Sequence, residues 1–214
     1  MDLQIGAIYR FSNVTTGTDA LLTIMDLKNG ATISILDDLA NGGPQGNFQP
    51  TITGTPSLTP SVDFNLAFVA TATLSPVVIN NVDWSVIDID GQAGLAEFNQ
   101  LGLFGSYILD NPTSVNVEDL GGGMYKFFDT SGASQAGIGL GGSYAVTLQF
   151  ATLQSFDLTM GMQGSSTAAI TRLYSDGTAD PTFVAPQNLV PEPGGAALIA
   201  AAGLLILLRR PGRP

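Results

Sequence analysis

Histidine and cysteine are both absent from this chain of 214 residues, and lysine plus arginine number only 7. Without cysteine there is no disulfide and no thiolate chemistry. Without histidine the usual general base is missing, as are the commonest metal ligand and every Ser-His or Cys-His catalytic arrangement. Three of the basic residues, Arg209, Arg210 and Arg213, lie at the C-terminal end, leaving Arg10, Lys28, Lys126 and Arg172 for the rest. Against these four stand 17 carboxylates before Pro191 (18 less Glu192), so this part carries −13. Such a surface repels nucleic acid and anionic lipid headgroups; it attracts divalent cations and polycationic partners.

Helical periodicity is also scarce before residue 191. Period-two alternation is plentiful instead, as in a half-buried strand. Val62, Phe64, Leu66 and Phe68 show it, as do Tyr144, Val146, Leu148 and Phe150, and Phe156, Leu158, Met160 and Met162. Ala20–Leu27 and Ala31–Leu36 are apolar runs joined by Lys28-Asn29-Gly30, and Asn-Gly is a strong hairpin signal. Val77–Ile89 reads as strand around Trp84. Tyr107–Leu109, Val115–Val117, Met124–Phe128 and Ala168–Leu173 add shorter pieces. Ala93–Leu101 reads as a turn or two of helix. About ten strands between Gly-, Pro-, Asn- and Ser-rich turns predict an all-β fold. The expected form is an antiparallel two-sheet sandwich, jelly-roll-like, because several strands carry a polar outer face. Residues 1–180 form this body, which is large enough to bury a core without staples. From Ser175-Asp176-Gly177 onward the chain turns polar and contains Pro181 and Pro186, so 181–190 is expected to be an exposed stalk.

Residues 191–214 have a different character. Pro191-Glu192-Pro193 is extended by its prolines. Gly194–Leu208 follows without a polar side chain, with Ala196, Leu198, Ile199, Leu204, Leu205, Ile206, Leu207 and Leu208 as its apolar bulk. As a helix it would span roughly 22 Å at 1.5 Å per residue. That is short for a hydrocarbon core of about 30 Å, although arginines can snorkel and add reach. Arg209, Arg210 and Arg213 then act as stop-transfer charge and put that end in the cytoplasm, with everything before Pro191 outside. A short C-terminal transmembrane helix is therefore expected after the sandwich. An exported chain also carries a basic and then apolar N-terminal signal, and Met1–Arg10 has neither. The expectation is a precursor whose start was placed too late.

The tail resembles the PEP-CTERM domain of bacterial exported proteins. The resemblance implies recognition of Pro191, Glu192 and Pro193 by exosortase, a membrane protease-transpeptidase, and a setting of extracellular polysaccharide and biofilm-type matrix. Less sharply, Tyr9-Arg10-Phe11-Ser12-Asn13-Val14, Gly17-Thr18-Asp19-Ala20, Asn29-Gly30-Ala31, Asp37-Asp38, Phe48-Gln49-Pro50 and Asp88-Ile89-Asp90-Gly91 are similar to modules of large bacterial extracellular, adhesin-like proteins. That likeness covers about residues 7–110 and implies a β-sandwich surface module without described chemistry.

Within the body, Asp88-Ile89-Asp90-Gly91 with Glu97 downstream is the strongest constellation. Carboxylates at alternate positions before a glycine can present oxygens to one hard cation. The spacing fails for an EF-hand, because Gly91 directly follows Asp90 and Glu97 lies nine residues after Asp88. Calcium at Asp88, Asp90 and Glu97 is one reading, and solvation of a turn is the other. Asp37 and Asp38 belong to a cation site or terminate a strand. Paired carboxylates can hydrolyse glycosides without histidine, with Asp83, Asp88, Asp90, Glu97, Asp110, Glu118 and Asp119 as candidates. Tyr107, Tyr125, Tyr144 and Trp84 form a sugar-stacking platform or belong to the core. Gly137–Gly142 lacks the Gly-Lys-Ser/Thr ending of a phosphate loop. Two function classes stand: an exported, non-enzymatic envelope or matrix protein, and a surface-anchored carbohydrate-binding or glycan-hydrolysing module.

Overall fold

The computed structural model describes residues 2–191 apart from 39, 41, 42, 45, 130 and 136. The transmembrane helix expected at Gly194–Leu208, the arginines and Glu192-Pro193 lie outside the described residues. Among the described residues no helix is long and apolar enough to cross a membrane. The described residues form sixteen strands. The first eight are β1 (Ile8–Thr15), β2 (Thr18–Lys28), β3 (Thr32–Ile35), β4 (Thr51–Gly54), β5 (Ser61–Ala70), β6 (Ile79–Ile87), β7 (Gly91–Gln92) and β8 (Leu95–Gly102). The rest are β9 (Ser106–Leu109), β10 (Val115–Gly121), β11 (Met124–Asp129), β12 (Val146–Leu153), β13 (Ser155–Gln163), β14 (Ile170–Leu173), β15 (Ser175–Gly177) and β16 (Gln187–Leu189). Single 3-10 turns occur at Pro56–Leu58 and Gly142–Tyr144.

The fold is all-β, and every pairing of these strands is antiparallel. The largest sheet has the order β1-β2-β5-β13-β8-β11-β10, with β7 beside β8. A second sheet runs β15-β6-β12-β9-β16, and a third, β14-β4-β3, extends the expected pair of sheets to three. The two larger sheets face each other. Register explains why: Leu22, Leu66 and Phe156 line up across three strands of the first sheet, and Ile24, Phe64, Leu158 and Leu101 form the next row. All seven are buried. From the facing sheet Trp84 sets its ring edge-on to Phe156 at 5.0 Å, and Phe150 meets the same ring at 5.9 Å. Burying a side chain of this size contributes roughly 1.5–3 kcal/mol, so these rows fix the pairing of the sheets.

Three expectations need correction. Ala93–Leu101 is not helical: Ala93-Gly94 is a turn and Leu95–Leu101 is strand. β8 lies between β13 and β11 with both faces covered, so its burial is nearly continuous and no alternation shows in the sequence. The Asn29-Gly30 turn forms with both residues at positive φ and the Ala31 N–H donating to the Lys28 carbonyl at 2.9 Å. It does not make a hairpin, however. β2 pairs with β1 and β5, and β3 pairs with β4 in another sheet. A turn sets the local direction of the chain, whereas partners are chosen by the apolar rows.

The third correction concerns the stalk. Ser175, Asp176 and Gly177 are buried in β15, and β16 pairs with β9 through Gln187↔Leu109, Asn188↔Ile108 and Leu189↔Tyr107. Between them, the Val184 and Ala185 N–H groups donate to Asp110 Oδ1 at 3.0 and 2.7 Å. Thr182 donates its N–H to the Leu140 carbonyl at 2.7 Å. Residues 182, 184–188 and 190 are exposed, as a stalk would be, but the segment is not detached: its backbone is hydrogen-bonded to the body as far as Leu189, two residues before Pro191. The three N–H groups donated to Asp110, from Ala185, Val184 and Asn111, hold its carboxyl below its usual range.

Candidate functional site

Two places gather polar chemistry. The first is the Asp88–Glu97 constellation. Asp88 leaves β6 at positive φ (65°), Gly91 opens β7, and Glu97 projects from β8. A side chain on Gly91 would put its Cβ 2.6 Å from the Leu95 carbonyl oxygen, so glycine is required by the tight return of the chain. The cation that meets these carboxylates is the protein's own Arg172, from β14. Its Nε donates to Glu97 Oε1 and its Nη2 to Asp90 Oδ1. Arg172 is 17% exposed and its two partners 1% each. A guanidinium thus meets two of the three carboxylates of the calcium reading, Asp90 and Glu97. Among the described residues no group of three carboxylates is arranged to hold a metal.

The electrostatics are those of a buried brace. Glu97 is pushed well above the ordinary carboxyl range, first by burial and then by Asp90 and Asp88, with Arg172 opposing. Asp88 is raised to about 7 by burial and by Asp90. Asp90 is raised too, mainly by burial, while the backbone N–H of Gln135 and Arg172 pull it down. Glu97 Oε2 and Asp88 Oδ1 are buried without a hydrogen-bond partner among the described residues. Burial opposes ionisation of both carboxyls.

Sequence reasoning missed Asp176. It is fully buried in β15, takes the Asn99 amide at 2.9 and 3.1 Å, and is raised to about 8 by burial. The indole Nε1 of Trp84 makes no hydrogen bond of ordinary geometry but lies close enough to favour the ionised form of Asp176. Arg172 was missed as a partner as well. The available signal was its rarity: one of four cations in the body, set in a strand rather than a turn. The other three are engaged too. Arg10 pairs with Asp19 and Lys28 with Asp63, while Lys126 lies over the Phe98 and Phe128 rings, 4.4 and 5.4 Å from their centroids.

The second place is a cleft of about 900 Å3. It lies between two sheet edges. β1 is the outer strand of the first sheet. β6 is covered by β15 only over Ser85–Ile87, so Ile79–Trp84 pairs on one side alone. Phe11, Phe48, Leu66, Phe68 and Trp84 line the walls, and Asn13, Asp37, Asn81, Asp83 and Thr178 stand around them. Asn13 and Asn81 hold positive φ (55° and 53°), a conformation that asparagine tolerates better than most residues. Asp37 is raised by burial and accepts the Gln49 N–H at 3.2 Å. Asp38 accepts the Ala40 N–H at 3.1 Å. These two aspartates brace the loop after β3.

The four-residue aromatic platform does not assemble. Trp84 reaches the cleft, but Tyr107 and Tyr125 pack on Phe104 at 5.9 and 5.3 Å, and Tyr144 sits in the 3-10 turn after Gly141. The proposed hydrolytic carboxylates also disperse: Asp90 and Glu97 bind Arg172, Asp110 clasps residues 184–185, and Glu118 and Asp119 lie on the edge strand β10.

No protein-family model matches the chain, and no curated protein matches it in sequence. Among solved structures it is similar to glucan binding protein C of Streptococcus mutans, described as mediating both sucrose-independent and sucrose-dependent adherence. The identity is 12% and the TM-score 0.46, over 77% of this chain and 53% of the other. The chain thus spans about half the length of that protein. A likeness of this size assigns neither ligand nor activity.

Proposed function

We propose that this chain is an exported bacterial cell-envelope or extracellular-matrix protein: a non-catalytic β-sandwich body followed by a PEP-CTERM-type sorting segment. The observation that carries this reading is in the sequence. Pro191-Glu192-Pro193 is followed directly by an uncharged apolar run, and that run by Arg209, Arg210 and Arg213. In the fold β16, the last strand among the described residues, ends at Leu189, two residues before Pro191. In this reading exosortase is the processing partner, Gly194–Leu208 the anchor, and Arg209, Arg210 and Arg213 the stop-transfer charge.

The body is read as non-enzymatic on its inventory of side chains. The chain has no histidine or cysteine, and its densest carboxylate cluster is bound to Arg172. The test is the intact mass and compartment of the native protein in cells with and without exosortase. Trimming near Pro191 that requires exosortase is expected. A full-length chain in the same compartment in both strains would overturn the reading.

A further inference from the structure

We propose that the cleft between β1 and β6 is a binding site for a neutral saccharide. The proposal stands on the cleft's geometry and does not depend on how the chain is sorted. Its volume, about 900 Å3, lies in the range of ligand sites, which combine mostly apolar walls with a few convergent polar groups. Three properties select the ligand class.

The first is the walls. Half-buried Phe11 and the largely covered Phe48, Phe68, Trp84 and Leu66 make the walls apolar, so a ligand must offer an apolar face. The C–H face of a pyranose ring is such a surface. The second is the rim. Asn13, Asn81, Thr178, Asp37 and Asp83 offer amide, hydroxyl and carboxylate groups, the partners that a ring of hydroxyls needs. Asn13, Asn81, Asp83 and Thr178 are exposed, so water rather than protein must be displaced to reach them. The third is charge. No lysine or arginine lines the cleft, two carboxylates do, and all four body cations are engaged elsewhere. A phosphate, a sulfate or a uronic acid would enter unpaired against Asp37 and Asp83, so anionic saccharides are excluded.

Trp84 is the only tryptophan of the chain and lies in the wall, so its emission reports occupancy directly. The experiment uses the full chain in a detergent without a sugar headgroup. It is titrated with oligosaccharides derived from cellulose, starch and mannan, and in parallel with oligogalacturonate. The expected result is a saturable change in Trp84 emission with at least one neutral series and none with the uronate. Asp83→Ala and Asn81→Ala, both on exposed side chains, should each weaken binding about tenfold, as loss of a hydrogen bond to a charged or buried-facing group does. Phe11→Ala should abolish it; the two rim variants keep the test decisive if that protein misfolds. No response to any neutral series, equal binding of the uronate, or wild-type affinity in both rim variants would overturn the site.

Discussion

The Arg172 brace and the β1–β6 cleft contain the same kinds of side chain in opposite conditions. In the brace, Asp90 and Glu97 are fully enclosed and face a guanidinium from another sheet. In the cleft, Asp83 is exposed, Asp37 half-buried, and neither meets a cation among the described residues. The brace looks like chemistry in the sequence and is structure in the fold. The cleft has no motif in the sequence and is the more accessible site. A carboxylate's role is decided by what desolvates it and what faces it, not by its spacing from other carboxylates.

The sharpest way to break this contrast is Arg172→Ala. Removing one partner of a buried ion pair leaves uncompensated charge and costs about 3–5 kcal/mol. Urea unfolding should show that loss, and a variant as stable as the parent would remove the brace from the account. A pH series gives the next largest effect. Asp176 and Asp88 have folded values of about 8 and about 7, above the 3.8 they start from. A carboxyl raised by folding is bound as the acid in the folded state. It therefore weakens the fold as pH rises from about 4 through those values, at up to about 1.4 kcal/mol per unit. Asp19 and Asp110 run the other way: both are lowered, so their contribution is present at neutral pH and is lost on acidification below about 4. Stability is thus expected to fall from about pH 4 to about pH 8 and to level off above that, and Asp176→Asn should flatten the decline. A stability that rises over this range would contradict the assignment.

Smaller effects separate the two regions further. Asp83→Ala should change stability by no more than about 0.5 kcal/mol, the usual range for an exposed position, while impairing the cleft. Asp110→Ala should leave the sandwich folded but speed limited proteolysis at residues 182–189, because three N–H groups lose their acceptor. Millimolar calcium should leave the melting temperature of the wild-type chain unchanged, since Arg172 already faces the carboxylates. A rise that Asp90→Asn removes would restore calcium as their partner.

The sequence by itself determined the all-β class, the antiparallel habit and most of the inner face. Val62, Phe64, Leu66 and Phe68, like Phe156, Leu158, Met160 and Met162, alternate because each strand buries one face, and burial follows that alternation except at Gly161, which is buried as well. It also determined the distinct character of residues 191–214, since an uninterrupted apolar run between prolines and arginines needs no partner to be recognised. Tertiary structure alone decided the rest. β8 has no alternation because both its faces are covered. The short strands β15 and β16 have too few residues to show a period, and only the edges they join give them order. Arg172 meets Glu97 across 75 residues, and the cleft exists only where β15 stops short of Trp84 and leaves an edge open. Local pattern records which way a side chain must face. It carries no record of which distant group will be there to meet it.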